Sequence, residues 1–391
     1  MFSISAWNYF DISLRQVTPS TMLTETADAM PIIVMPPSGV VERIFQTGGD
    51  ISAPPAIYGG TAYIVSGRRA ETGSITALDL DTWMSAWTYR LNGVSDYRPS
   101  VAGDFLYAVS RDGRTIALDR HTGQEIWTHS SKDIVLGSPV VRDGVLYVAS
   151  DGIQTLDAVT GELLWTHETE GGRTISPLTF SDGILAVLSE GNHLNLVDAA
   201  KGKRRRTTRL WFGGAGPPVI LGDTVVLSGD RGSIQAIDLH ARDVPMEKAI
   251  RFWWTKLWLY KSAPRPPDPV GYLWHHRGIG GLAATVVAAR DDRLYFVSRN
   301  ADHSANVTAL DANTGDALWN FTSQAPVAGG TVLVDGTLVF GTQAGEVLGL
   351  STSTGEVEWR LSMGIPISSI AVAGNGTLLL ASVAGAIYEV R

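Results

Sequence analysis

Asp50, Asp96 and Asp133 each fall a few residues ahead of a short β-rich run. Gathered at one mouth, three carboxylates could hold a divalent cation or supply a general base. Left in separate turns they are solvated acids, which is the plainer reading. His275-His276 beside Arg277 could form a metal or anion site, but no further ligand stands at a metal-binding spacing, so a surface or loop role is expected. Asp302 and His303 share a turn and are no more specific. The chain has no cysteine, which excludes disulfides and thiolate metal sites. No catalytic, cofactor-binding or metal residues are therefore expected.

A second chemistry is written more strongly. From Lys201 to Arg265 there are thirteen Lys and Arg against five Asp and Glu, in a chain whose net charge is −8. Lys201, Lys203, Arg204 and Arg205 open the run. Arg251, Trp253, Lys256, Trp258 and Tyr260 follow, then a Pro-rich excursion from Ser262 to Gly271 that leads to Trp274. Cations interleaved with Trp and Tyr suit a protein-binding face or a lipid headgroup layer. These residues are the expected interaction surface, with a protein partner or an anionic membrane surface as its occupant. The alternative is that the excursion folds back and covers the aromatics itself. The acidic whole argues against a nucleic-acid partner.

The elements that must carry these residues come from a repeat. One phrase recurs from Ala77-Leu78-Asp79 to Trp87, from Ala117-Leu118-Asp119 to Trp127, from Asp157 to Trp165, from Asp311 to Trp319 and from Ser351 to Trp359. The fourth copy has Arg206 in the tryptophan place, and the fifth is stretched from Asp238 to Trp254. A period of about 40 residues indicates propeller blades or solenoid turns. Between the motifs, runs such as Val140-Val141-Arg142-Asp143-Gly144-Val145-Leu146-Tyr147 are two strands reversed at Asp-Gly. A third strand carries the Asp, a Thr-Gly pair turns the chain, and a fourth carries the Trp. Four strands per period favour a β-propeller.

The last repeat stops at Arg391, where its Asp belongs, and its missing half reads at the other end: Ser38-Gly39-Val40-Val41-Glu42-Arg43 parallels Thr354-Gly355-Glu356-Val357-Glu358-Trp359. Residues 39–47 are thus expected to be the outer strand of an eighth blade, closing an all-β ring of eight four-stranded antiparallel blades and leaving no radial edge. The predicted organisation is an N-terminal arm at 1–36 and a propeller at 37–391, with an insertion at 239–277 in and after blade five. In that scheme 252–259 is the aromatic outer strand of blade five. A helix from Pro245 to Tyr260 is the alternative and would put Ile250, Trp253, Trp254, Leu257 and Trp258 on one face.

On these motifs the chain resembles the tryptophan-docking repeat of pyrroloquinoline-quinone-type propellers, over roughly residues 37–391. The resemblance implies that Trp87, Trp127, Trp165, Trp254, Trp319 and Trp359 are structural, wedged between blades. It also implies one of two functions: a quinoprotein dehydrogenase, or a non-catalytic scaffold similar to the propeller lipoprotein of the outer-membrane β-barrel assembly machine. The dehydrogenases carry metal-binding inner strands and a vicinal disulfide. Here the inner strands start at Ala53-Pro54, Arg98-Pro99, Ser138-Pro139, Ser176-Pro177, Pro217-Pro218, Ala283-Ala284, Gly329-Gly330 and Ser368-Ser369, small and nearly uncharged, and no disulfide can form. A scaffold without cofactor is the reading, and a reduced quinone-dependent oxidoreductase the alternative.

Absence of cysteine favours an extracytoplasmic home, periplasmic or at the cell surface, where a free thiol is a liability. The first 36 residues show no basic n-region and no apolar run of membrane-spanning length. Their Phe2, Trp7, Tyr9 and Phe10 suggest an arm that packs on the propeller. Asn306, Asn320 and Asn375 begin Asn-x-Thr sequons, which permit glycosylation. Oligomeric state is not legible.

Overall fold

The computed structural model describes residues 41–391 apart from 52, 68–71, 132, 211–212, 214–215, 230–231, 277–282, 291, 329–330, 375 and 391. The expected arm at 1–36, Arg277, Asn375 and Arg391 lie outside the described residues. Eight four-stranded antiparallel sheets are present, seven of them meandering from an inner to an outer strand and the eighth completed by the first described strand. Blade one, for example, runs through Ala56–Tyr58, Thr61–Ser66, Ser74–Asp79 and Ser85–Arg90.

The ring closes as expected. Val41–Gln46 pairs with Ala386–Val390, bringing Ile44 opposite Tyr388 and Phe45 opposite Ile387, and the Thr47 N–H donates to the Gly385 carbonyl at 2.9 Å. The first described strand thus completes the sheet of the last three.

Burial explains the strand sequences. The second and third strands of a blade are covered on both faces by neighbouring blades, so they read as continuous apolar runs such as Val145–Ala149. Outer strands lie at the rim and alternate, as in Glu125–Ser130. The core is accordingly divided among the blade junctions: Tyr63, Val65 and Ile75 of blade one pack against Leu106, Ala108 and Ile116 of blade two.

The outer hairpins after Asp79, Asp119, Asp157 and Asp311 are built by one local device. The Asp119 carboxylate accepts the amides of His121 and Thr122 at 2.9 and 2.8 Å, which closes the turn. The Thr122 amide, then burial acting the other way, set this carboxyl's balance, and the result lies below the usual carboxylate range. A β-bulge after Ala117 then aims Trp127 of the outer strand into the junction with the next blade.

There its indole N–H donates to the Ala158 carbonyl at 3.1 Å, and the Tyr107 hydroxyl donates to the same oxygen at 3.0 Å. Trp87 and Tyr63 converge in the same way on the Arg120 carbonyl, at 2.9 and 3.3 Å. Burial, with Asp157 nearby, pushes the Tyr107 phenol up to about 12, so it remains a donor at any physiological pH. The tyrosines had a signal of their own: Tyr63, Tyr107, Tyr147 and Tyr295 each stand three residues after a turn residue, at the same place in the second strand.

The indole also explains the glycine of each Thr-Gly turn. Gly161 has φ +74°, and a Cβ there would lie 2.6 Å from the Trp127 ring; Gly123 stands in the same relation to Trp87. Gly144 has a similar φ of +75° but nothing within 4 Å. Gly144→Ala should therefore cost only the left-handed backbone penalty, about 1 kcal/mol, while Gly161→Ala adds a clash and should cost about 3 kcal/mol. Urea midpoints of the two variants check this, and equal losses would remove the indole from the explanation.

Blade five departs from expectation. The segment expected as its outer strand is helix α1 (Glu247–Leu259), and the outer strand is Tyr272–His276. Trp254 is not a docking residue. Trp274 is: it stands opposite Ala236, its indole N–H donates to the Ala312 carbonyl at 2.9 Å, and Gly315 lies against its ring. The Asp238 amide bonds the Gly271 carbonyl at 2.7 Å, as the Asp119 amide bonds Gln124. Everything between is an insertion into one outer turn, which removes it from the repeat's spacing.

Candidate functional site

Two junctions lack the strand tryptophan, and both lack the glycine as well. At the closure, Arg43 stands opposite Glu389 and donates to the Asp81 carbonyl at 2.9 Å. The next turn carries Trp83, with φ 58°, where Gly123 stands in blade two. Trp83 packs against the cluster of Ile64, Leu78 and Leu379, so here the turn supplies the indole and the strand supplies the cation.

At the junction of blades four and five, Arg206 stands opposite Leu196 in the tryptophan place. The turn it faces is the inserted hairpin. Its guanidinium donates to the Arg242 carbonyl at 2.8 Å and to the Glu247 carboxylate at 3.1 Å, with side chains only 4% and 15% exposed. Glu247 opens α1, where a carboxylate also suits the helix dipole, and accepts the Val270 amide at 2.8 Å from the returning strand. One buried ion pair thus holds both legs of the hairpin to blade four.

Around it the basic run meets acids. Arg204 pairs with Asp243 at 3.1 Å and Glu170 at 3.2 Å, and Lys248 reaches Glu170 at 2.9 Å. The hydrogen bond from Lys248, then the charges of Lys248 and Arg204, hold the Glu170 carboxyl below its ordinary range despite partial burial. The Asp243 amide donates to the Arg205 carbonyl at 3.0 Å, extending the edge of Arg204–Arg209. Lys201 and Lys203 remain exposed in the neighbouring turn. These acidic partners were not legible in the sequence, because only the fold brings 170 and 243 beside 204.

The hairpin braces itself and leaves its aromatics outside. Trp254 donates to the Pro264 carbonyl at 3.0 Å, Arg251 to the Pro267 carbonyl, and Lys256 lies 5.1 Å from the Phe252 ring centroid. No residue of α1 is buried. Trp253 is 65% exposed, Leu259 67% and Tyr260 79%. The excursion therefore does not cover the aromatics. Of the residues expected on this surface, Trp274 is the exception: it is 8% exposed and belongs to the core.

The other sequence candidates lie apart from this surface. Asp96 is paired with Arg111, and the Asp50 carbonyl accepts the Gly67 amide at 2.9 Å. Among the described residues, no three His, Cys, Asp or Glu side chains come together as a metal site. Asp302 caps its own turn through Ser304, and His276 approaches the Thr314 carbonyl at 3.2 Å from the outer strand of blade five. Asn306 and Asn320 bond Thr322 and Thr308 across their own blade.

A sequence profile described as outer membrane protein assembly factor BamB matches residues 71–176, 151–296 and 303–390. The chain belongs to the BamB family. The BamB of Moranella endobia (strain PCIT) is 23% identical over 263 residues, 60% of this chain and 61% of that protein. Matches to curated relatives thus span less than two thirds of their length. The crystal structure of BamB from Moraxella catarrhalis superposes with a TM-score of 0.66 at 15% identity, over 90% of this chain and 99% of that one. A europium-containing methanol dehydrogenase superposes with a TM-score of 0.62 at 15% identity, over 88% of this chain and 84% of that one. The ring alone therefore does not separate a BamB fold from a dehydrogenase fold.

Proposed function

We propose that the protein is a non-catalytic interaction scaffold, a peripheral extracytoplasmic subunit of an assembly that works on outer membrane proteins. Its docking surface is the blade-four and blade-five face with Lys201, Lys203, Arg204, Arg205, Arg251, Trp253, Lys256, Trp258 and Tyr260. The observation that carries this reading is a helix with no buried residue, held to the ring by a buried ion pair. A fold does not retain such an exposed aromatic element for its own stability. BamB membership supports the outer-membrane setting and a protein partner.

The quinone-dependent alternative is disfavoured by how the inner strands are used. The Thr179 hydroxyl donates to the Pro218 carbonyl of the next blade at 2.6 Å, and Ser100 bonds the Pro139 carbonyl likewise, so these polar groups knit neighbouring blades. The absorbance spectrum of the quinone with calcium should be the same with and without the protein.

The direct test rebuilds the junction as the other blades build theirs. Residues 239–270 are replaced by the blade-three turn Ala158-Val159-Thr160-Gly161, together with Arg206→Trp. The variant should fold with near-parental melting and lose the host proteins or membranes that associate with the parent through this face. A folded variant that retains both would refute this docking surface.

A further inference from the structure

We propose that the α1 hairpin seats in the headgroup layer of an anionic bilayer, fixing the propeller's orientation at a membrane surface; this rests on the scaffold reading and names the occupant of its docking site. Three observations favour a lipid surface over a protein groove. The first is that apolar exposure runs around the helix. Ile250, Trp253 and Leu257 face one way and Phe252 and Leu259 the opposite way, and all are more than half exposed. A groove in a protein partner takes one stripe of a helix and would leave the other wet, whereas a headgroup layer surrounds a protruding tip.

The second is charge. Between Glu247 and Asp268 the chain carries Lys248, Arg251, Lys256, Lys261 and Arg265 and no acid, while the whole chain is at −8. The one acid at the helix start is turned in against Arg206, its side chain 15% exposed, and is not presented outward. Lys248 turns back to Glu170 and Arg265 lies beside Asp268, which leaves Arg251, Lys256 and Lys261 around the aromatic tip to complement anionic headgroups; long Lys stems can keep their ammonium groups in the headgroup layer while the rings sink deeper.

The third is length. α1 has 13 residues, about 20 Å, too short to cross a bilayer. Among the described residues no helix is long and apolar enough to cross one. Trp and Tyr at its end are the side chains that settle at the boundary rather than in the hydrocarbon. The outer turns of adjacent blades emerge on one face, so exposed Lys201 and Lys203 lie on the same side of the ring as the hairpin.

The experiment floats the full chain with vesicles of phosphatidylethanolamine and phosphatidylglycerol, and separately with phosphatidylcholine alone. The parent should bind the anionic vesicles, more weakly as salt rises, and bind phosphatidylcholine far less. Leu257→Glu with Leu259→Glu, both on exposed positions, should abolish flotation while leaving the melting temperature unchanged. Lys256→Gln and Lys261→Gln should each weaken binding about fivefold, as expected of about 1 kcal/mol per cation at an anionic surface. A parent that floats with neither vesicle, or a Leu257/Leu259 variant that floats like the parent, would overturn the proposal. Hairpin-dependent capture of a host protein in detergent, without flotation on pure vesicles, would also overturn it while leaving the scaffold reading intact; loss of neither interaction on removing the hairpin would sink both.

Discussion

Deleting Val41–Gln46 will destroy the cooperative melting of the propeller and make the protein aggregate. The strand is mostly exposed and contributes little apolar burial itself. Its weight is topological: without it, Ala386–Val390 becomes a bare edge in the last blade, and the ring loses the only covalent path that carries blade eight back to blade one. The complementary experiment uses the absence of cysteine in the chain. Ile44→Cys with Tyr388→Cys, at paired positions on the first and last strands, creates the sole two thiols. The disulfide would close a loop of nearly the whole propeller, for which chain entropy predicts up to about 5 kcal/mol of stabilisation over the reduced form. Differential scanning calorimetry in oxidising and reducing buffer reads both effects. A deletion variant that melts like the parent, or a pair that does not form a disulfide, would show that the ring closes elsewhere.

Arg206→Ala should cost about 3 kcal/mol, because it leaves the Glu247 carboxylate without the guanidinium that accompanies it into the blade-four junction. Arg204→Ala, which removes an exposed cation from Asp243 and Glu170, should cost no more than about 1 kcal/mol. The two arginines stand two residues apart on one strand, so the contrast isolates burial from charge. Glu247 can partly escape to water if the hairpin lifts, so the loss at Arg206 should appear locally as well as globally. Hydrogen exchange across 243–271 should accelerate in Arg206→Ala and not in Arg204→Ala. Equal urea midpoints, or unchanged exchange in both, would mean that the hairpin is held by something other than this pair.

The repeat was legible because each blade solves the same problem with the same residues. An Asp that caps a turn, a glycine that turns it and an indole eight residues after the Asp recur together in blades two, three and six and in part in blades one, four and seven, and their spacing announces the ring. Its closure was legible for the same reason, since a split repeat leaves matching halves at the two ends. Blade five was misread because an insertion inside the turn separates Asp238 from its indole, and Trp254 lies among several tryptophans that offer themselves to a strand template. The run 247–259 carries enough β-prone aromatics to be read as a strand, yet its apolar spacing also fits a helix, and local propensity cannot arbitrate between them.

Residue types and spacing by themselves determined the all-β class, the blade number, the closing strand and the basic, aromatic character of the blade-four to blade-five region, because these are properties of period and composition. Only the tertiary structure decided which tryptophan docks, since that depends on which ring reaches the Ala312 carbonyl and lies over Gly315. It alone showed that the turns facing Arg206 and Arg43 lack the glycine an indole would pack on, and what each guanidinium bonds instead. It also divided the cations into those spent on Glu170, Asp243 and Glu247 and those still facing solvent, because ion pairing depends on distances between residues far apart in the chain.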